Sequence, residues 1–113
     1  MRPLPSPLQI GPFRYTVTDS PKAMAEARRN ADDGRLAETD NVKLSIAIDV
    51  DVPPDQARDS LLHEVIHATI NTVGKWRKDS TEEDFIGRFC PSLLDTLRRN
   101  PDLVAFLMEV DER

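Results

Sequence analysis

The stretch just before the middle of the chain constrains the fold most. Between Lys43 and Asp51, apolar and polar residues alternate strictly. Alternation with a period of two is typical of a strand that has one buried and one exposed face. The sequence therefore predicts a half-buried strand over Lys43–Asp51, whose inner face would carry four aliphatic side chains: Leu44, Ile46, Ile48 and Val50.

A helix is predicted to follow this strand directly, from Asp55 to Val73. Pro53-Pro54 precede it and acids occupy its first turn, which suits the positive end of a helix dipole. Gly74 favours a helix end. The residues that recur at helical spacing predict its core face: Leu62, Ile66, Thr69, Ile70 and Val73.

A second long helix is predicted to begin at Ser80 or Thr81, where acids again follow a capping hydroxyl. Pro91 is expected to kink this helix or split it near Gly87. Its apolar stripe consists of Phe85, Ile86, Phe89, Leu93, Leu94 and Leu97. The remaining predicted elements are a strand within Gln9–Asp19 with Phe13, Tyr15 and Val17 on one face, and short helices over Lys22–Ala31 and Asp102–Val110.

These elements predict an α+β fold with a small, mostly antiparallel sheet packed on the helix Asp55–Val73, and with the second helix crossing nearby. Residues 1–8 are rich in proline and predict an extended arm. Residues 9–113 are predicted to form a single domain, since 113 residues suit one hydrophobic core.

Charge and cysteine content exclude several kinds of partner and site. The net charge is −5 and no stripe of Lys and Arg is present, which argues against a nucleic-acid groove or an anionic membrane as partner. A single cysteine, Cys90, precludes an intrachain disulfide and favours a reducing compartment. Neither a signal-peptide core nor an apolar stretch of membrane-spanning length is visible. We therefore expect a cytoplasmic location, in a cell or in a phage-infected host.

Both histidines of the chain lie in the first predicted helix, in the run His63-Glu64-Val65-Ile66-His67. Residues four apart share a helix face, so the two imidazoles can bind one ion at the roughly 2.0–2.1 Å of Zn–N bonds. Glu64 lies about 100° around the helix from His63, where a carboxylate can accept a proton from a water that the metal activates. The H-E-x-x-H spacing therefore predicts zinc bound by His63 and His67, with Glu64 as general base. The alternative is a helix with two surface histidines and an unrelated glutamate.

A catalytic zinc usually has three protein ligands, and the chain holds no further histidine. A carboxylate or Cys90 must then be the third ligand. Glu83 is preferred, because a hairpin of two helices can bring the first turn of the second helix back to the histidines. Glu82 and Asp84 are the alternatives, and all three acids also suit a helix N-terminus without metal. Cys90 is interpreted as a small core residue.

Three segments of the chain together carry a family resemblance. The first, over 59–68, reads Asp-Ser-Leu-Leu-His-Glu-Val-Ile-His-Ala. It is followed by Thr81-Glu82-Glu83 and by Leu-Arg-Arg-Asn-Pro-Asp-Leu-Val over 97–104. From about Lys43 to Leu107 the sequence resembles that of the small zincin metallopeptidases of phages and bacteria, which are minimal relatives of the gluzincins. The resemblance implies that His63, His67 and Glu83 bind zinc and that Glu64 is the general base. Larger relatives hold the developing oxyanion with a Tyr, His or Arg. Here Tyr15 and several arginines are present, and no motif assigns that role.

The motif and the resemblance together predict a zinc-dependent metallopeptidase-like hydrolase that acts on a peptide or protein substrate. The strand Lys43–Asp51 is expected either to be an edge that an extended peptide joins or to be core scaffolding. Asp59 could orient the histidines or be a solvated helix acid, and Trp76 could pack inside or line the cleft. The alternative function is a non-catalytic interaction module in which zinc braces two helices. A third interpretation is helix packing without any metal.

Overall fold

Four strands and three helices make up residues 1–19, 37–75 and 77–110, the parts of the chain that the computed structural model describes. The α+β class predicted from the sequence is confirmed. The predicted helix Lys22–Ala31 and the side chain of Trp76 lie outside the described residues. The strands are β1 (Leu8–Ile10), β2 (Phe13–Asp19), β3 (Ala37–Asp40) and β4 (Ser45–Ile48), and the helices are α1 (Pro54–Val73), α2 (Glu82–Arg99) and α3 (Pro101–Met108).

The strands form one mixed sheet in the order β1-β2-β4-β3. β1 and β2 are antiparallel, β2 and β4 are parallel, and β3 and β4 are antiparallel. Two of these three pairings are antiparallel, which confirms the mostly antiparallel sheet. Gly11 lies in the turn between β1 and β2 with φ +57°, and a Cβ there would lie 3.0 Å from Thr72 Cγ2. Glycine is therefore required at this turn, because α1 packs closely against it.

The predicted strand Lys43–Asp51 is shorter in the structure, because its first residues form a turn. The carboxylate of Asp40 accepts hydrogen bonds from the backbone N–H groups of Val42 and Lys43, both at 2.9 Å. This Asx-type turn takes Leu44 to φ +56° and leaves only Ser45–Ile48 as β4. β4 is paired on both sides, so the prediction that it is an edge for an incoming peptide is wrong. β3 is the outermost strand on that side of the described sheet.

Helix α1 has the predicted bounds to within one residue, but its core face is different. Of the residues predicted to form that face, only Thr69 is buried, and Leu62 is 37% exposed. The helix is covered on two sides, by the sheet and by α2. The side chains that it buries include Ala57, Leu61, Glu64, Val65, Ala68 and Thr69. Leu61, Val65 and Ala68 belong to one core cluster with the inner faces of the strands and with Leu103 and Phe106 of α3.

Helix α2 begins at a capping box and continues through Pro91. The hydroxyl of Thr81 accepts from the Asp84 N–H at 3.0 Å, and the Asp84 carboxylate accepts from the Thr81 N–H at 3.3 Å. The predicted split near Gly87 is wrong, since α2 is unbroken over Glu82–Arg99. Gly87 lies in open surroundings, so water can reach the carbonyl that Pro91 leaves without a donor. Cys90 is exposed on this helix, and its interpretation as a core residue is also wrong.

The proline-rich arm and the junction of α2 and α3 are held to this frame by side-chain contacts. In the proline-rich arm, Leu4 packs against the core, and the Ser6 hydroxyl accepts from the Val17 N–H at 2.9 Å. The Asn100 side chain, between α2 and α3, accepts from the Gln9 N–H and donates to the Gln9 carbonyl. These bonds fix β1 against the junction of the last two helices. None of the described helices has the length and apolar content needed to cross a bilayer.

Candidate metal centre

The two histidines predicted as zinc ligands lie one turn apart on α1, on a side that faces solvent. Their Nε2 atoms are 3.0 Å apart and their ring centroids are 4.7 Å apart. Both side chains are exposed, and that of His63 keeps 65% of its surface accessible. The four-residue spacing thus brings the two imidazole nitrogens together, as expected for residues on successive helical turns.

Glu64 occupies a different environment, although it directly follows His63. It is only 6% exposed, and its Oε1 accepts a hydrogen bond from the Thr39 hydroxyl at 2.9 Å. Its Oε2 lies 3.9 Å from His63 Nε2. Because Thr39 belongs to β3, the sheet edge fixes one carboxylate oxygen while the other stays beside the histidines. The carboxylate is therefore held in one orientation before any ligand binds.

These three side chains form a group that fits a metal ion. One ligand atom from each of His63, Glu64 and His67 lies within 4.8 Å of the other two. In a tetrahedral zinc site with Zn–N bonds of 2.0–2.1 Å, two ligand nitrogens are about 3.4 Å apart. The observed 3.0 Å between the Nε2 atoms needs only a small opening to reach that distance. Two neutral imidazoles are also a donor set that zinc prefers.

An open cavity of about 540 Å³ lies in front of the histidines, between α1 and the edge of the sheet. Its walls are polar, as expected for a site that binds a hydrophilic ligand. One wall is formed by β3 and the turn after it, with Ala37, Glu38, Thr39 and Asn41. The other wall is formed by α1, with Gln56, Asp59, Ser60, His63, Glu64 and His67.

A hydrogen-bond chain connects the sheet interior with this cavity. Tyr15 of β2 is fully buried, and its hydroxyl donates to Oδ1 of Asn41 at 2.8 Å. Burial raises the pKa of Tyr15 above its ordinary 10.0, while a hydrogen bond with the Asn71 side chain lowers the pKa in part. The hydroxyl is therefore protonated at neutral pH and can donate to Asn41. Asn71 lies one helical turn after His67, so this chain reaches the histidine side of α1.

The acids predicted as third ligand do not join the histidines in the structure. Glu82, Glu83 and Asp84 are exposed in the first turn of α2, and Asp84 is engaged in the capping box. Among the described residues, only His63, Glu64 and His67 form a group with metal-binding spacing. Glu83 as third ligand therefore stays a prediction. Besides Glu64, the acids that line the cavity are Glu38 and Asp59, and a role of Asp59 in orienting the histidines stays a prediction as well.

Thr39 and Asn41 are contacts that the sequence did not identify. Both lie in Ala-Glu-Thr-Asp-Asn over 37–41, which carries no recognisable metal or catalytic motif. Asp-Asn before a strongly alternating strand is, however, a turn signal. Such a turn predicts a hairpin, and the hairpin would have placed residues 37–40 beside the following strand.

Comparison with known proteins identified no relative of this chain. No protein-family model matches the sequence, and no match was found among curated proteins or solved structures. The resemblance to small zincins consequently rests on the residues of the H-E-x-x-H motif and its flanks alone.

Proposed function

We propose that this protein is a zinc-dependent metallopeptidase-like hydrolase whose site is built on α1 and β3. One observation carries the proposal: two imidazole nitrogens lie 3.0 Å apart, with an oxygen of a buried, hydrogen-bonded carboxylate 3.9 Å from one of them. A carboxylate held in this way beside two possible metal ligands has the placement that a general base needs. If the histidines were only surface residues with no metal, nothing about them would require Glu64 to be buried and bonded to Thr39.

His63 and His67 would hold the ion. When bound, zinc lowers the pKa of a water to about 7 and polarises a substrate carbonyl. Glu64 accepts the proton of the attacking water as the water oxygen bonds to the carbonyl carbon. It then returns that proton to the amide nitrogen as the C–N bond breaks, which leaves a carboxylic acid and an amine. Glu64 thus ends the reaction as it began, ionised and bonded to Thr39.

The substrate class follows from the position of the cavity. β3 is the outermost strand of the described sheet and forms one wall of the cavity. An extended peptide laid against β3 would bring its backbone carbonyls past the histidines, with main-chain hydrogen bonds supplying much of the affinity. We therefore propose extended peptide segments, free or within proteins, as substrates.

Metal content tests the ligand assignment. Purified wild-type protein should contain about one zinc per chain, as a catalytic site requires, and Glu64→Gln should retain it. His63→Ala and His67→Ala should lose the metal. Glu83→Ala should lose or weaken zinc binding, whereas its neighbour Glu82→Ala should not, and Asp59→Ala and Glu38→Ala test the acids at the cavity wall. A metal-free wild-type protein would overturn the proposed function.

Peptide cleavage tests the catalytic part separately. We expect the zinc-loaded wild-type protein to cleave members of a peptide library or casein, and Glu64→Gln to be inactive with its zinc intact. Cleavage that survives in Glu64→Gln would refute the role of Glu64 as base. Stoichiometric zinc without cleavage of any peptide would instead support the non-catalytic, zinc-braced module.

A further inference from the structure

We propose that Asn41 supplies the hydrogen-bond donor for the carbonyl oxygen of the substrate, and that Tyr15 is the positioning residue that orients it. The proposal rests on the proposed function, since the oxygen in question belongs to a ligand at the His63–His67 site. Stabilising the developing oxyanion is the one chemical role to which no sequence motif assigns a residue. The oxyanion donor would be a neutral carboxamide from the β3–β4 turn.

The Asn41 carboxamide offers a hydrogen-bond donor to the cavity of the two histidines. Its side chain lines the same cavity as His63 and His67, and its Nδ2 has no hydrogen-bond partner among the described residues. Thr39, two residues earlier on the same wall, reaches Glu64. Since Tyr15 is bonded both to Asn41 and to Asn71, Asn41 lies near the turn of α1 that follows His67. Glu64, on the α1 wall, and the Asn41 amide, on the opposite wall, therefore border the same cavity.

The orientation of the carboxamide is determined by its buried partner. The hydroxyl proton of Tyr15 is directed to Asn41, which must present Oδ1 to it. With Oδ1 facing Tyr15, the NH₂ group is turned away from the phenol, and both of its protons are available to a ligand.

Such a donor acts where charge develops in the reaction. As the oxygen of the attacking water bonds to the carbonyl carbon, the electron pair of the C=O bond moves to the carbonyl oxygen. An N–H group already aimed at that oxygen stabilises the negative charge without reorganising, because Tyr15 holds it in place. The pair returns to reform C=O as the C–N bond breaks. Asn41 gains and loses no proton in this sequence.

Two matched substitutions separate the donor from its support. Asn41→Asp keeps the size of the side chain and the acceptor for Tyr15, but it replaces the free donor by a negatively charged acceptor. Tyr15→Phe keeps the ring in the core and leaves the Asn41 carboxamide without its buried partner. Thr18→Val is the control, because Thr18 is exposed on β2, on the face opposite to Tyr15, and does not line the cavity.

The probe is acetohydroxamate, titrated calorimetrically into protein of measured zinc content. We expect Asn41→Ala to weaken acetohydroxamate binding about tenfold and Asn41→Asp to weaken it further. Tyr15→Phe should have a smaller effect in the same direction, and Thr18→Val should have almost none. With a cleaved peptide, Asn41→Ala should lower kcat by about 100-fold, the usual effect of removing one oxyanion donor, with little change in KM.

A second readout uses the metal-free protein. In a ¹H–¹⁵N spectrum, the side-chain NH₂ pair that disappears in Asn41→Ala belongs to Asn41. Tyr15→Phe should shift this pair, and Thr18→Val should leave it unchanged. An Asn41 signal that ignores Tyr15→Phe would overturn the positioning role. Zinc-loaded Asn41→Ala that binds acetohydroxamate as wild type does would overturn the donor role and leave the proposed function standing. Wild-type protein that loads no zinc would overturn both.

Discussion

The hydrogen bond from Thr39 to Glu64 is the contact by which the sheet edge holds the proposed general base, and Thr39→Val removes it with almost no change in shape. Valine retains the branched side chain that a strand favours and lacks the hydroxyl. The bond is 2.9 Å long and its acceptor belongs to a residue that is only 6% exposed. The substitution therefore removes the bond to this buried carboxylate together with a longer contact of the same hydroxyl, 3.3 Å from the backbone carbonyl oxygen of Glu64.

The expected loss follows from this geometry. A hydrogen bond to a charged group contributes about 1.5–3 kcal/mol. Thr39 is half-buried and the carboxylate borders an open cavity, so water can replace part of the lost interaction. We therefore expect the lower end, a decrease of about 1.5 kcal/mol in the free energy of unfolding. With an m-value of roughly 1.5 kcal/mol/M, the urea midpoint should fall by about 1 M.

The assay is urea unfolding of the metal-free protein at neutral pH, read as a double-mutant cycle. Thr39→Ser retains the hydroxyl and should lose less than Thr39→Val. Thr18→Val, at an exposed position of β2, should change stability by less than about 0.5 kcal/mol. In a Glu64→Met background, Thr39→Val should cost clearly less, because the carboxylate acceptor is gone and only the 3.3 Å contact of the hydroxyl with the Glu64 carbonyl oxygen remains to be lost. An equal cost in both backgrounds would show that the strand, not the bond, is affected, and would refute this reasoning.

Two further predictions test the packing of α1 and the burial of Tyr15. Leu61→Ala should lower the free energy of unfolding by about 3 kcal/mol, whereas Leu62→Ala should cost less than about 1 kcal/mol, since Leu61 is fully buried and Leu62 is 37% exposed; equal losses in urea unfolding would contradict the observed helix face. The folded state raises the pKa of Tyr15 above 10.0, so its contribution to stability is complete below pH 10 and is lost as the pH rises through the folded-state pKa. Tyr15→Phe should flatten this alkaline decline. The chain has one tyrosine, so ultraviolet titration of tyrosinate reads Tyr15 alone, and a midpoint at or below 10.0 would contradict the burial argument.

The elements with a strong local period could be predicted from the sequence, and their packing could not. The bounds of α1 and the cap of α2 follow from prolines, acids and a capping hydroxyl, which act within a few residues. The core face predicted for α1 is wrong because this helix carries two adjacent apolar stripes, one through Leu61 and one through Leu62. Periodicity alone does not say which stripe meets the sheet and which borders α2.

The candidate site shows the same division between local and tertiary information. His63, Glu64 and His67 are brought together by helical spacing alone, which is why the motif could be recognised in the sequence. Thr39 reaches Glu64 only because β3 pairs with β4, which places it opposite Ile46. That contact depends on strand order and register, and a single sequence encodes neither in a local pattern.

The burial of Glu64 links the site to the stability of the fold. Within the motif, all three side chains border the cavity, but the two histidines are exposed there while Glu64 is buried. An ionised carboxylate in such a position costs free energy unless it is hydrogen-bonded, and Thr39 supplies the bond. If the chain needed Glu64 only for solubility or helix formation, an exposed position on α1 would serve equally well. A buried and paired carboxylate beside two imidazoles is instead what a general base requires, because the same contact that offsets its burial also fixes its direction.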